Sequence, residues 1–340
     1  MEKTKRQRSD SFQARIRNTS ARYPRLILKR LLVFFPLLFA ASLVIFFSLR
    51  LSGVDPVNVM LGERQATEDV IFSLREQFHL NEPLIAQYWQ WVKEVFSGSF
   101  GIDYINRQSV AVMIGQRAPI TLGLVIMSTT IGTVIAVGLG VLSAVKQNTI
   151  LDRVISVAVL IFVSAPSFLV AIGTLIFLTV FMPDVAFTGA INSVGDYFSR
   201  LIMPSFILAL YMLAIVTRVT RSGMIIQLRS AYATAAIAKG LPMRVVIWKH
   251  CFRNAFIPVL TIVTIFIGAA ISSAVLVESV FSLPGLGGLL TQAIKTNNYP
   301  IVQACLFILL LLFLSLGLIA DLIYMAVDPR ARIAGKKVLT

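Results

Sequence analysis

The sequence predicts an all-α polytopic membrane protein with six transmembrane helices, from its composition, its apolar runs and its charge distribution. Of the 340 residues, 57% are hydrophobic and only 14% are charged, whereas soluble domains carry about 25% charged residues. The mean hydropathy is +0.82. So few charges cannot cover a water-exposed surface, so lipid must surround much of the chain.

Six runs without a charged residue are long enough to span a bilayer, for which a helix needs about 17–25 residues. They are residues 31–49, 118–145, 154–183, 201–217, 254–277 and 296–320. Each is expected to be helical, because lipid offers backbone polar groups no other partner. The fourth run is short, and its helix is expected to continue past Arg218. The first run exceeds the apolar core of a cleavable signal peptide, so it is predicted to be retained.

The positions of the basic residues predict the orientation of the chain. With the N-terminus inside, 23 of the 31 Lys and Arg residues lie on inner segments and 8 on outer ones. Half of the acidic residues fall in the first outer segment. This positive-inside pattern predicts that both termini are cytoplasmic. The net charge of +15 is therefore explained by membrane topology, and no nucleic-acid partner is expected.

These spans divide the chain into a tail, a first helix, an insert, a core and a second tail. Residues 1–29 are predicted to be a basic cytoplasmic tail near lipid headgroups, and residues 30–50 transmembrane helix 1. Residues 51–117 form an external helical insert, with one helix after Thr67 and another from Pro83 to Gly98. Its tryptophans predict either a membrane-interface position or a docking surface for an external partner. Residues 118–326 form the membrane core, and residues 327–340 a cytoplasmic tail.

The loop between the fourth and fifth spans, residues 218–253, has seven basic residues and no acidic one. Ser230 is placed to begin a short alanine-rich helix, Gly240 to end it, and Pro242 to start a second helix. A slim alanine helix fits a groove on another protein, with Lys239 and Arg244 at the charged rim. The residues alone leave a second interpretation equally open, a basic hairpin that only fixes the topology.

Several stretches resemble one family in the same order along the chain. Thr234-Ala235-Ala236 stands six residues before Gly240 and resembles the Glu-Ala-Ala-x-x-x-Gly coupling loop of ABC importer permeases, with Thr234 in place of the glutamate. The other matching stretches are Arg253 to Pro258, Glu278 to Gly287, Tyr299 to Gln303 and Asp328-Pro329-Arg330, while Val54-Asp55-Pro56 departs from the Gly-Asp-Pro that the family usually has. From about residue 29 to 333, the chain is similar to permeases of dipeptide and oligopeptide importers, whose relatives also carry nickel complexes and glutathione.

The resemblance implies a type I ABC importer permease fold and a set of partners. These are a second homologous permease, two ATP-binding subunits, an external substrate-binding protein and a peptide substrate, in a bacterial inner membrane. The implied ATPase-coupling residues are Tyr232, Thr234, Ala235, Ala236, Lys239, Gly240 and Arg244. Glu278, Pro284, Gly285 and Gly287 are expected outside, either as a docking site for the binding protein or as a tight turn holding the fifth and sixth helices.

The chain lacks a Gly-x-x-x-x-Gly-Lys-Ser/Thr phosphate loop, so ATP and Mg²⁺ are expected on the partner subunits. No catalytic residue, metal or cofactor is predicted for this chain. No charged residue lies deep in any run, which disfavours an ion-coupled secondary transporter, the main alternative. An enzyme would depend on His79 and His250, which the topology places on opposite sides of the membrane. A permease for a non-peptide solute, and less so an exporter, stay open.

Overall fold

The computed structural model describes residues 22–51, 53–61, 66–182 and 193–327, and every regular element among them is a helix. Most of both predicted tails, including Asp328-Pro329-Arg330, lies outside these residues. The chain divides into two units, residues 1–52 and 53–340. The first unit contains helix α1 (Arg22–Arg50), which is apolar along most of its length and includes Pro36.

The second unit contains the insert and the membrane core. The insert has α2 (Pro56–Leu61), α3 (Glu68–Gln77) and α4 (Leu84–Ser97). The core has α5 (Val110–Val145), α6 (Ile150–Ser164), α7 (Ser167–Phe181), α8 (Val194–Leu228), α9 (Ala231–Ala238), α10 (Met243–Val280), α11 (Leu286–Lys295) and α12 (Tyr299–Val327). Helix α10 includes a π-helical turn at Val246–Cys251.

Five described helices are long and apolar enough to cross a membrane on their own: α1, α5, α8, α10 and α12. The α6–α7 pair passes the same test jointly, and counting it as one span gives six. The predicted class, an all-α polytopic membrane protein, is confirmed. The two helices of the insert that the sequence predicts are also present, and Gly98 ends α4 in the left-handed conformation at φ 76°.

The third apolar run is helical, as predicted, but it forms two helices instead of one continuous helix. Helices α6 and α7 meet at an angle of 101°. The break falls at Ala165 and Pro166, where Ala165 is extended at φ −95° and ψ 126°. Proline has no amide hydrogen and disfavours a helical conformation in the residue before it, so Pro166 explains the break.

Several helices begin earlier than the uncharged runs predict. Helix α1 starts at Arg22, so the last residues of the predicted tail are helical, and α5 starts at Val110 inside the predicted insert. A helix can continue beyond the hydrocarbon core, where charged side chains reach water. Helix α8 extends through Arg218 to Leu228, as the short fourth run predicts.

Small residues let α5 and α8 approach closely. A Cβ atom on Gly140 would lie 2.8 Å from the carbonyl oxygen of Thr217 and 2.5 Å from the Cβ of Thr220. A Cβ on Gly132 would lie 3.1 Å from that of Ala209. Gly132, Ala136 and Gly140 form a row of small residues at four-residue spacing on α5. This row lets the two helices pack closely, as expected for membrane helices.

Candidate coupling and translocation site

Helix α9 is the predicted coupling helix, and it begins and ends at the predicted residues, although only its C-terminal end has the predicted local cause. Ser230 is the N-cap residue with an extended backbone, although its hydroxyl donates to the carbonyl of Gln227 at 2.5 Å instead of capping α9. Alanine has the highest helix propensity, so eight residues suffice when tertiary contacts support them. Gly240 ends the segment with φ +79°, a conformation that costs little only for glycine.

The two faces of α9 differ. Ala233 and Ala236 are buried against the ends of α5 and α8 and the start of α10, in a cluster that includes Ala144, Met224 and Val246. The remaining residues of α9 are exposed, and so are the predicted flanking residues; they include Tyr232, Thr234, Ala235, Lys239, Gly240 and Arg244. Six of the seven predicted coupling residues are thus exposed, whereas Ala236 faces the chain's own core.

Hydrogen bonds hold Tyr232 in place near the start of α9. Its hydroxyl donates to Gln227 Oε1 at 2.6 Å and accepts from Asn254 Nδ2 at 3.2 Å. The same amide nitrogen of Asn254 donates to the carbonyl of His250 at 3.3 Å. Tyr232 therefore ties α9 to both α8 and α10, although 40% of it is exposed.

The second predicted site consists of Glu278, Pro284, Gly285 and Gly287. We call residues 278–288 the Glu278 turn, and most of this turn is buried. The Glu278 side chain is fully buried, and its Oε2 accepts from the amides of Gly287 at 2.7 Å and Gly288 at 3.4 Å. Thr121 Oγ1 accepts from the amide of Leu286 at 2.9 Å. These oxygens satisfy the free amides at the start of α11, as a helix cap does. The geometry favours the tight turn over a docking role for Glu278.

The glycines of this turn are required by close contacts. A Cβ on Gly285 would lie 2.3 Å from Glu278 Oε2, and one on Gly287 would lie 2.4 Å from the Cα of Val275. The chain passes too close to α10 for any side chain at these positions. Pro284 stands just before them and is partly exposed.

The insert is fixed to the loop before α12. The side-chain amide of Asn298 donates to Asp103, and its oxygen accepts from the amide of Tyr104 at 3.4 Å. Burial raises the pKa of Asp103, but hydrogen bonds from Ile105, Asn106 and Asn298 outweigh it and hold the pKa below its usual range.

An aromatic contact also attaches the insert to α12. It bears on the prediction that the tryptophans of the insert lie at the membrane interface or bind a partner. Trp91 is only 7% exposed and packs edge-to-face on Phe307 of α12, with ring centroids 5.9 Å apart. Trp89 is 52% exposed. Only one of the two tryptophans is therefore free to meet lipid or a partner, because the other is part of the fold.

A cavity of about 300 Å³ lies between α5, the α6–α7 break, α8 and α10. Hydroxyl groups and apolar carbons line it, and no described lining residue is charged. The hydroxyl-bearing residues are Ser128, Thr129, Ser164, Ser167, Tyr211 and Ser273. We call this space the hydroxyl cavity. The sequence does not identify it, because serine and threonine are scattered through all the apolar runs; Pro166, which breaks the third run, is the one local signal.

The fold is that of a polytopic membrane protein with a cavity lined by hydroxyl groups and apolar carbons and with an exposed alanine-rich helix, as in a membrane transport subunit. Comparison with known proteins assigns it to a family. Residues 136–333 match the binding-protein-dependent transport system inner membrane component, and residues 23–125 match the N-terminal part of such membrane components. The chain belongs to this family of ABC importer permeases, and specifically to its dipeptide and oligopeptide type.

Curated relatives match almost end to end. The chain is 32% identical over 309 residues to the probable peptide ABC transporter permease protein y4tP of Sinorhizobium fredii (strain NBRC 101917 / NGR234). It is 32% identical over 306 residues to the glutathione transport system permease protein GsiC of Escherichia coli (strain K12). It is 31% identical over 310 residues to the putative peptide transport system permease protein BAB2_1050 of Brucella abortus (strain 2308). Each alignment covers 90% of this chain and 98% of the relative. The protein is thus a multi-pass inner-membrane permease.

Proposed function

We propose that this permease carries peptides into the cell by alternating access, driven by ATP hydrolysis on partner subunits. The observation that carries the proposal is the exposed face of α9, where small side chains and the left-handed Gly240 leave a slim helix free to enter a groove. Lys239 and Arg244 flank this face and favour an acidic rim on the partner.

The proposed energy transfer needs no chemistry on this chain. ATP binding brings the two ATPases together and moves the α9 helices of the paired permeases. Because α9 packs on the ends of α5, α8 and α10, its movement reaches three helices that line the hydroxyl cavity. The nucleotide shifts the equilibrium only by the difference in its binding free energy between the two states.

Peptides are the proposed substrates because two of the relatives are named for peptide transport and the cavity chemistry suits them. Hydroxyl groups donate and accept hydrogen bonds and so match peptide amides of any sequence. The volume lies at the lower end of the range of small-molecule sites, about 300–1,000 Å³. Glutathione, itself a peptide, is the second candidate, favoured by the name of the Escherichia coli relative.

The partners in this proposal are a second permease, two ATP-binding subunits and an external binding protein that selects the peptide. Both termini and the α9 end face the cytoplasm, and the insert and the Glu278 turn face outward. The excess of Lys and Arg on the α9 side supports this orientation. Arg244 and Glu278 lie near opposite ends of α10, about 50 Å apart at 1.5 Å per helical residue, which is enough to cross a bilayer.

Uptake by the reconstituted complex tests the proposal. The complex is placed in liposomes with ATP inside and the loaded binding protein outside, and labelled di-, tri- and pentapeptides and glutathione are compared. We expect ATP-dependent accumulation of peptides and none without ATP. Uptake of glutathione alone would select the second candidate. Uptake driven by an ion gradient with this chain alone would contradict the proposal.

A further inference from the structure

A buried ion pair joins α6 to α8 next to the coupling cluster. Asp152, in the first turn of α6, accepts from Arg221 of α8 through both carboxylate oxygens, from Nε and from the terminal Nη2, each at 2.7 Å. The Asp152 side chain is 5% exposed and that of Arg221 29%. Such a planar, two-point contact fixes the relative orientation of two helices as well as their distance.

The carboxylate oxygens of Asp152 also accept hydrogen bonds from α5 and from the loop that follows it. Ser143 of α5 donates its hydroxyl to Asp152 Oδ1, and the amide of Asn148 donates to Oδ2 at 2.9 Å. The Thr149 hydroxyl caps the amide of Asp152 at 3.5 Å. One carboxylate thus connects α5, the loop, α6 and α8.

The partners of Asp152 adjoin the cluster that holds α9. Ser143 precedes Ala144, and Arg221 stands three residues, less than one turn, before Met224; both Ala144 and Met224 pack with the buried face of α9. The residues that pack against α9 therefore lie within one helical turn of the residues that hydrogen-bond to Asp152.

At its other end, α6 reaches the hydroxyl cavity. From Asp152 the helix continues to Ser164, about 18 Å away at 1.5 Å per residue. Ser164, Ala165 and Pro166 then line the cavity at the 101° break. Helix α6 thus connects the ion pair to the one part of the cavity wall that is not a continuous helix.

We propose that the Asp152–Arg221 pair makes α6 move as one body with the coupling helix, so that α9 displaces the cavity wall at Pro166. Both residues are positioning residues: they touch no substrate and act through α6. The inference rests on the proposed function and adds the route by which the movement of α9 reaches the cavity. Buried pairs of this kind fix geometry even where their net contribution to stability is small.

Two measurements on the reconstituted complex test the route. The first is the amount of peptide transported per ATP hydrolysed in Arg221→Lys, Arg221→Gln and Asp152→Asn. We expect this ratio to fall about tenfold in Arg221→Gln and Asp152→Asn while hydrolysis continues. Arg221→Lys keeps the charge but loses the two-point contact, and we expect a smaller loss. Arg218→Gln, an exposed arginine almost one turn earlier on α8, is the matched control and should transport as the native protein does.

The second measurement follows movement in a complex with the native Asp152–Arg221 pair, so its main result does not depend on whether a variant of the pair folds. Spin labels at exposed Ile150 of α6 and at exposed Ala231, which begins α9 and is not among the predicted coupling residues, report their separation without nucleotide and with trapped nucleotide. We expect the separation to stay constant in the native protein and to change in Arg221→Gln. A native separation that changes with nucleotide, or variants with native transport per ATP, would overturn the inference. A native complex that moves no peptide would instead contradict the proposed function.

Discussion

The two ends of α10 are built in opposite ways. At the Glu278 turn a buried carboxylate, two sterically required glycines and the Thr121 hydroxyl close the chain on itself. At the α9 end a short helix is held by one buried face and presents the other, and a Cβ on Gly240 would meet nothing within 4 Å. The difference separates a region that holds its own fold from one that, in our proposal, binds an ATP-binding subunit.

Neighbouring alanines on α9 give the sharpest test of this comparison. Ala235→Glu places a charge on the exposed face, so we expect the protein to fold but to lose about tenfold or more of its ATP-driven uptake. Ala236→Glu buries a carboxylate against Met224 and Val246, so we expect a loss of about 2–4 kcal/mol in the free energy of unfolding. Uptake assays and thermal unfolding of the purified complex distinguish the two effects.

Ala235→Ser adds one oxygen at the same place and is the control, with expected native uptake. Equal loss of stability in Ala235→Glu and Ala236→Glu would contradict the assignment of the two faces of α9. The sequence alone treats Ala236 as a groove-facing residue, so this pair also measures what the structure adds.

At the opposite end, Glu278→Ala should act on stability. Removal of the carboxylate leaves the buried amide of Gly287 and the partly buried amide of Gly288 without this partner, which costs about 2–3 kcal/mol. Thermal unfolding is expected at a lower temperature, with unchanged peptide transported per ATP in the protein that remains folded. Gln292→Ala, on the exposed face of α11, is the control. Native stability with lost response to the binding protein would instead assign Glu278 to docking.

Substitution of Gly287 or Gly240 by alanine compares the two ends of α10 through smaller changes in the free energy of unfolding. Gly287→Ala meets backbone atoms of α10 that cannot yield, so we expect a loss of about 2–3 kcal/mol. Gly240→Ala meets no neighbour and costs only the strain of a left-handed alanine, about 1–2 kcal/mol. Unfolding curves of both variants show which one loses more free energy of unfolding. A larger loss for Gly240→Ala would show that the α9 end is the more tightly constrained one.

The smallest expected effect concerns the attachment of the insert. Because the pKa of Asp103 is lowered by folding, its contribution to stability is present above the unfolded pKa of about 4 and is lost as pH falls through the folded value. The difference in unfolding temperature between the native protein and Asp103→Asn should therefore vanish on acidification. A difference at Asp103 that does not depend on pH would contradict the prediction.

Local signals account for what the sequence predicts correctly. Apolar runs predict the spans, and Gly98 and Gly240 end their helices because only glycine adopts those angles cheaply. The alanine-rich segment between Ser230 and Gly240 is helical for the same kind of local reason.

The features that the sequence does not predict depend on distant residues. Asp152 and Arg221 are 69 residues apart and meet only because α5, α6 and α8 pack together. The burial of Ala236 is equally invisible, since all faces of an alanine helix look alike in the sequence. The sharp bend at Pro166 lies inside an uncharged run, and the length of that run does not indicate where a helix ends or how the chain turns there.

Photo-crosslinking from position 239 tests the central claim most directly. A photo-reactive residue replaces exposed Lys239 in the complete complex, and a second protein carries it at exposed Gln292 of α11 instead. The account predicts a crosslink to an ATP-binding subunit from position 239 and none from position 292. A crosslink to that subunit from position 292, or to the external binding protein from position 239, would contradict the assignment of the two ends.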